Sequence, residues 1–242
     1  MITPWHMAVL IPARNEELLL PRCLRSVAAA CAVLPAGVTS DIIVVSDGST
    51  DTTADLARAM LQHTCGRVLE VDAGNVGLAR ALAAETALTR HRGNPWRCWL
   101  ANTDADCEVP QNWLLDHLSL ARRGYTAVAG IVDVDCFVEH REHVETRFRV
   151  TYQINDDGTH PHVHGANLGV RADAYMLAGG WNALETAEDH DLWARLRTAG
   201  THLSDARLRV VTSGRRVGRA PLGFAGALAK HNEFIADSEN AA

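Results

Sequence analysis

Between residues 7 and 134 five short β-rich runs alternate with helical patterns, and this alternation constrains the fold more than any other feature of the chain. The runs are Met7–Ile11, Asp41–Val45, Arg67–Val71, Arg97–Ala101 and Thr126–Val134. Strands separated by helix-length segments read as βαβ units of a mostly parallel sheet. Ile42 to Val45 is continuously apolar, as expected of a strand covered on both faces. The first helix is expected over Glu16 to Ala32, where Leu19, Leu20, Cys23, Leu24, Val27, Ala28 and Cys31 recur at three-to-four spacing. A second is capped by Ser49-Thr50-Asp51 and runs to about His63; a third spans Val76 to about Thr89. Pro110 opens a fourth at its first turn. The fold class is therefore α/β, a Rossmann-like, mostly parallel sheet with helices on both faces.

From about residue 136 the rhythm changes. A charged helical stretch, Glu139 to about Tyr152, leads through polar Gln153–His164 to Gly165–Val170. Helices are expected from Arg171 to Gly179-Gly180 and over Glu188–Ala199. A short strand, Leu208–Val211, precedes an Arg-rich loop and a terminal helix from Pro221 to about Phe234. No internal repeat or low-complexity linker is visible. The expectation is one domain, 1–242, in which a nucleotide-binding half (1–135) gives way to an acceptor-binding half (136–242).

A net charge of −6 argues against nucleic acid as the main partner, because polyanion binders need a basic field. The six cysteines form no CxxC pair and read as reduced, mostly buried thiols of a cytosolic protein. Met7–Ile11 is too short for a signal peptide, and no run approaches the roughly 18 apolar residues that span a bilayer. The chain is expected to be cytoplasmic without a transmembrane segment, which leaves open a lipid acceptor reached peripherally at the membrane surface. A homodimer is equally left open.

Asp104 and Asp106 follow the fourth apolar run, one residue apart. Side chains at i and i+2 of an extended segment point the same way, so both acids should emerge together at a strand's carboxyl end, where open α/β sheets bind ligands. Hard oxygen ligands suit Mg²⁺ or Mn²⁺ bridging to substrate phosphates. The structural alternative is a turn or helix-cap role. Cys107 adjoins the pair but is a poor partner for a hard cation and is read as packing.

Other motifs sit at the ends of the remaining runs. Pro12-Ala13-Arg14-Asn15-Glu16-Glu17 follows the first and can face a heterocycle or sugar, with Asn15 as helix cap the plainer reading. In Ser46-Asp47-Gly48-Ser49-Thr50-Asp51, capping uses Ser49 and Asp51 and leaves Asp47 free to accept from a base N–H. Asp72 to Arg80 reads GxxGxA, not the dinucleotide loop GxGxxG; its Arg80 is a candidate phosphate or base contact. Four acids, Glu185, Glu188, Asp189 and Asp191, crowd one helix start, more than the helix dipole needs, so one can act as a general base. His160, His162 and His164 alternate, with His164 the best candidate metal ligand. Arg207, Arg209, Arg215, Arg216 and Arg219 form a basic cluster suited to clamping a diphosphate, against a background of solvated surface arginines.

This ordered set resembles the family 2 inverting glycosyltransferases of GT-A fold, from residue 7 to about 200. Val9 to Glu17 looks like that family's first strand and nucleotide loop, Ile43 to Thr53 like its second. Asn75, Gly77, Ala79 and Arg80 resemble its third segment, and Asp104-Ala105-Asp106 its Asp-X-Asp metal motif. Gly165-Ala166-Asn167 followed by Arg171 resembles its acceptor-side segment, and Glu188-Asp189 the pair that carries its base. The resemblance implies that Pro12, Ala13, Asn15, Glu16 and Asp47 surround the nucleotide. It implies that Asp104 contacts ribose or sugar, that Asp106 holds the metal, and that Asp189 is the base. Gly165, Asn167, Glu188, Arg215 and Arg216 fall on the acceptor and phosphate side. The Gln-X-X-Arg-Trp motif and membrane helices of processive synthases are missing, which points to transfer of one sugar to a discrete hydroxyl acceptor, whether small molecule, saccharide or lipid. A uridine diphosphate sugar is favoured as donor, with a guanosine diphosphate sugar next. The competing readings are a nucleotidyltransferase and a non-catalytic nucleotide-sugar-binding protein.

Overall fold

A computed structural model describes residues 4–219 and 223–233. Seven strands form one mixed sheet: β1 (His6–Ala13), β2 (Thr39–Asp47), β3 (Arg67–Val71), β4 (Cys98–Asn102), β5 (Ala127–Val134), β6 (Leu168–Arg171) and β7 (His202–Thr212). Their spatial order is β3-β2-β1-β4-β6-β5-β7. β1, β2, β3 and β4 pair in parallel, while β6 runs antiparallel between β4 and β5. β5 and β7 pair in parallel at the far side, with a register shift between Ala129 and Ile131. Strands from both sides of residue 135 thus share one sheet.

Two apolar layers explain why the helices lie where they do. In β1 the odd-numbered Met7, Val9 and Ile11 face one core, and Ala8 and Leu10 face the other. The first core receives α1 (Leu20–Ala32), α2 (Thr53–Leu61) and α4 (Trp113–Arg122) through Leu24, Ala57 and Leu114. The second receives α3 (Val76–Arg90), α6 (Ala172–Leu177) and α7 (Glu188–Ala199) through Ala83, Tyr175 and Leu192. The remaining helices are α5 (His143–Thr151) and α8 (Phe224–Lys230). Pro221 and Phe234, the expected bounds of the last helix, lie outside the described residues.

Several boundaries differ from those expected. β1 runs through Pro12 to Ala13, because β4 pairs with it only as far as Leu10 and Pro12 sits where one side is already open. α1 starts at Leu20 rather than Glu16. Asn15 has φ of 52°, and the Glu16 carbonyl instead closes a turn onto the Leu19 and Leu20 N–H groups. Pro21 then occupies the first helical turn, where its missing N–H costs nothing. β7 begins six residues before Leu208, since its polar first half pairs with β5 while facing solvent on one side.

The chain reverses direction across the sheet between β1 and β4, whose carboxyl ends therefore flank a crevice. Ligand sites of open α/β sheets form at such a switch point.

Candidate active site

A cleft of about 670 Å³ opens at this point. It is walled by the loops after β1, β2, β3 and β4, by 163–166 and 185–190, by the segment after β7, and by α8. Pro12, Ala13, Glu16, Asp47, Arg80, Asp104, Asp106, His164, Gly165, Glu188, Asp189 and Arg215 all line it. The sequence had singled out each of these. Arg14, Ser213, Arg219 and Phe224 line it too. Among the described residues seven carboxylates and four guanidinium groups face the cleft, a formal excess of three negative charges.

Arg80 organises one wall. It is buried on α3, and its Nη2 donates to Asp104 Oδ1 at 2.6 Å, its Nε to Glu188 Oε1 at 3.1 Å and its Nη1 to the Gly165 carbonyl at 3.2 Å. The guanidinium also lies over the Trp181 ring, 5.4 Å from its centroid. Burial disfavours its charge, yet Asp104, Glu188 and Asp189 more than offset that and raise its pKa. Three of its five N–H donors are thus used within the protein, so the residue expected as a phosphate or base contact also holds this wall together. Burial raises the pKa of Glu188, while Arg80 pulls it down.

Gly165 connects this cluster to Asp189. Its N–H donates to Asp189 Oδ2 at 2.8 Å, and a Cβ here would collide with the Arg80 guanidinium. Asp189 Oδ1 accepts from the His190 N–H at 2.7 Å, so two backbone donors fix the carboxylate at the start of α7. Asp191 is instead paired with Arg195. The crowd of acids thus divides into three that line the cleft, Glu185, Glu188 and Asp189, and a structural one, Asp191. Ala187, in the left-handed region at φ 58°, turns the chain into that helix.

The second wall centres on Arg215. Its guanidinium makes a two-pronged contact with Glu16, Nη1 to Oε2 at 2.9 Å and Nη2 to Oε1 at 2.7 Å. The same Nη2 donates to Asp106 Oδ2 at 2.7 Å. Burial pushes the Asp106 carboxyl up to about 6; Arg215 lowers it, and Asp104 and Glu16 raise it. Arg216 is exposed and is not among the lining residues; its neighbour Arg219 is, with Nη2 donating to the Asn15 carbonyl at 2.6 Å. Arg207 and Arg209 pair with Asp205 and Asp133 on β7 and β5, away from the cleft.

One further residue does more than expected, and three expectations need correction. Asp47 accepts from the backbone N–H groups of Ala73, Gly74 and Asn75 at 2.7–2.9 Å, so its carboxylate shapes the loop before α3 even as it lines the cleft. Asn15 is neither a helix cap nor a lining residue: its Oδ1 accepts from the Thr50 N–H and ties two loops together. Asn167 is fully buried, donating to the Ile131 and Leu208 carbonyls and accepting from Trp113 Nε1, which fastens β5 to β7. His164 belongs to a stack of rings with Tyr152 and His162, and its Nε2 lies 2.8 Å from the Tyr152 hydroxyl. Burial pulls its pKa down to about 3, so the ring is neutral.

Among the described residues the side chains that gather closely enough to ligate one ion are Asp104, Asp106 and Cys107, with ligand atoms within 4.8 Å of one another. Burial raises the Cys107 thiol well above its ordinary pKa, and its Sγ lies 3.7 Å from Asp106 Oδ1 as a weak donor. The two carboxylates are therefore the usable ligands, and His164 stands outside the group. A hard divalent cation fits this donor set, and it would offset the excess negative charge of the cleft.

The Glycosyl transferase family 2 model matches residues 8–177. The chain belongs to that family. Curated relatives of this glycosyltransferase include undecaprenyl-phosphate 4-deoxy-4-formamido-L-arabinose transferases. The protein of that name from Pseudomonas paraeruginosa is 33% identical over 128 residues, 52% of this chain and 35% of the relative. The Pseudomonas aeruginosa (strain LESB58) protein is 32% identical over 126 residues, again 52% and 35%. The chain spans about a third of the length of these relatives. Among solved structures, S. aureus TarS 1-349 in complex with UDP-GlcNAc superposes with a TM-score of 0.66 at 14% identity, over 90% of this chain and 61% of that TarS 1-349 chain. Mannosyltransferase PcManGT from Pyrobaculum calidifontis, in complex with GDP-Man and Mn²⁺, gives 0.65 at 18% identity, over 90% and 59%. The glycosyltransferase family and the GT-A fold are thereby both established; at these identities the structural likeness is one of fold.

Proposed function

We propose that the chain moves a single sugar from a nucleoside-diphosphate sugar to a hydroxyl acceptor with inversion at the anomeric carbon. The observation that carries this reading is the meeting of Asp104, Asp106 and Asp189 in one cleft, the first and last joined through Arg80 and Gly165. Nucleoside binding is assigned to the half before residue 136 and acceptor binding to the half after it, which also lends arginines to the donor's diphosphate. Pro12, Ala13, Arg14 and Asp47 border the nucleotide in this reading. Asp104 and Asp106 would hold Mg²⁺ or Mn²⁺, which when bound supplies positive charge to the leaving diphosphate. Arg215 and Arg219 would face the same diphosphate, adding donors aimed where charge develops. Asp189 accepts the acceptor's hydroxyl proton as its oxygen attacks. The backbone donors from Gly165 and His190 orient that carboxylate, and Phe224 and Ala225 of α8 border the cleft and would limit water.

The named relatives favour a second acceptor, a polyprenyl phosphate. A phosphate monoester is already ionised near neutral pH and needs no base. Glu185, Glu188 and Asp189 line the 185–190 wall, and the charge of Arg80 nearby is already shared between Asp104 and Glu188. That charge pattern favours a hydroxyl. Among the described residues no helix is long and apolar enough to cross a membrane.

The test is a panel of nucleotide sugars with Mn²⁺ or Mg²⁺, scored by thermal shift and by the product released. UDP-sugars are expected to stabilise most, GDP-sugars next, with nucleoside diphosphate as product. Release of pyrophosphate from a nucleoside triphosphate would make the chain a nucleotidyltransferase. Donor binding with neither transfer nor hydrolysis would make it a binding protein. Transfer to a polyprenyl phosphate that survives Asp189→Asn would replace the hydroxyl acceptor.

A further inference from the structure

Arg215 occupies a position that a cation must share. Its Nη2 lies 2.7 Å from Asp106 Oδ2 and 2.7 Å from Glu16 Oε1, and it reaches them from just beyond the end of β7. Its Nε is buried without any hydrogen-bond partner. A guanidinium with an idle buried donor is incompletely satisfied where it stands. A divalent ion on either oxygen of Asp106 would sit beside this fixed positive charge, like against like. Should Arg215 leave, Glu16 keeps a second cation, because Arg219 Nε lies 3.6 Å from its Oε1. Asp106 keeps the Thr212 hydroxyl, 3.5 Å from Oδ1.

We propose that Arg215 is a built-in counter-cation, resting on Asp106 in the ligand-free protein and moving onto the diphosphate when donor and divalent ion arrive together. This rests on the donor-site reading above and adds an order of events. The diphosphate offers acceptor oxygens for every Arg215 nitrogen, including the idle Nε, and removes the charge that opposes the metal. Metal and nucleotide affinities must then raise one another by the same factor. The cleft would be kept from holding a bare divalent ion between turnovers.

The test is titration of Mn²⁺ into the full chain, followed by calorimetry and by the electron paramagnetic resonance of free Mn²⁺. Titrations are run alone and with saturating UDP or, separately, GDP. The protein is expected to bind Mn²⁺ weakly alone and about tenfold or more tightly with nucleotide, the effect of relieving one close like-charge contact. Arg215→Gln is expected to bind Mn²⁺ alone about tenfold more tightly than the parent and to lose most of the nucleotide coupling. Arg215→Lys, which keeps the charge and guards against a folding defect in the first variant, is expected to retain it. Equal Mn²⁺ affinity in Arg215→Gln and the parent, or unchanged coupling, overturns the counter-cation while leaving the donor site intact. If neither Mn²⁺ nor either nucleotide binds any of the proteins, the donor-site reading falls and the proposal with it.

Discussion

Arg80 and Arg215 each bridge two carboxylates at the same cleft, yet they are built for different work. Arg80 projects from the buried face of α3, stacks on Trp181 and uses all three nitrogens on Glu188, Gly165 and Asp104. Arg215 stands on an irregular segment, keeps part of its side chain in solvent, and leaves one nitrogen idle. The first belongs to the framework, since breaking a buried ion pair strands charges that cannot be rehydrated. The second, if it moves, leaves Arg219 beside Glu16 and the Thr212 hydroxyl beside Asp106. One cleft thus carries a fixed cation beside the proposed base and a movable one beside the proposed metal ligands.

The strongest way to break this comparison is to remove each arginine in turn. Arg80→Met should cost about 3–5 kcal/mol in urea unfolding, because Glu188 loses its buried partner; a loss under about 1 kcal/mol would contradict the framework role. Asp189→Asn, on the framework side, should lower transfer to a hydroxyl acceptor about 10²–10⁴-fold, while donor-induced thermal stabilisation is unchanged. Loss of donor binding in step with turnover would remove the base assignment. Gly165→Ala presses a methyl group onto the Arg80 guanidinium and should cost about 1–3 kcal/mol, read from the denaturation midpoint. The smallest effect is expected at the movable cation. Arg215→Lys keeps one charge but loses the fork on Glu16, and should cost about 1–2 kcal/mol. A drop as large as that of Arg80→Met would mean that both arginines are framework.

The same contrast separates what could be read locally from what could not. Asp104, Asp106 and Asp189 stand out because acids after an apolar strand or crowded at a helix start exceed what solvation and capping require. Arg80 was visible as a residue, but its partners were not: Glu188 lies 108 positions away and Gly165 85. The Arg215–Glu16 pair spans 199 positions, so no spacing rule could propose it. Asp47 has no partner among its sequence neighbours; its donors come from a loop 26 to 28 residues on. Arg216 and Arg219 are alike in the sequence, and only the path of the chain turns one outward and the other into the cleft.

The sequence alone determined the parallel βαβ half, since hydrophobic periodicity is a local property and each strand or helix carries its own. It also determined which acids were in surplus. Tertiary structure decided the insertion of antiparallel β6, the extension of β7 through polar residues, and which cation each surplus acid would meet. Those outcomes depend on contacts between segments distant in the chain, where burial makes a charge choose its partner and no neighbouring residue records the choice.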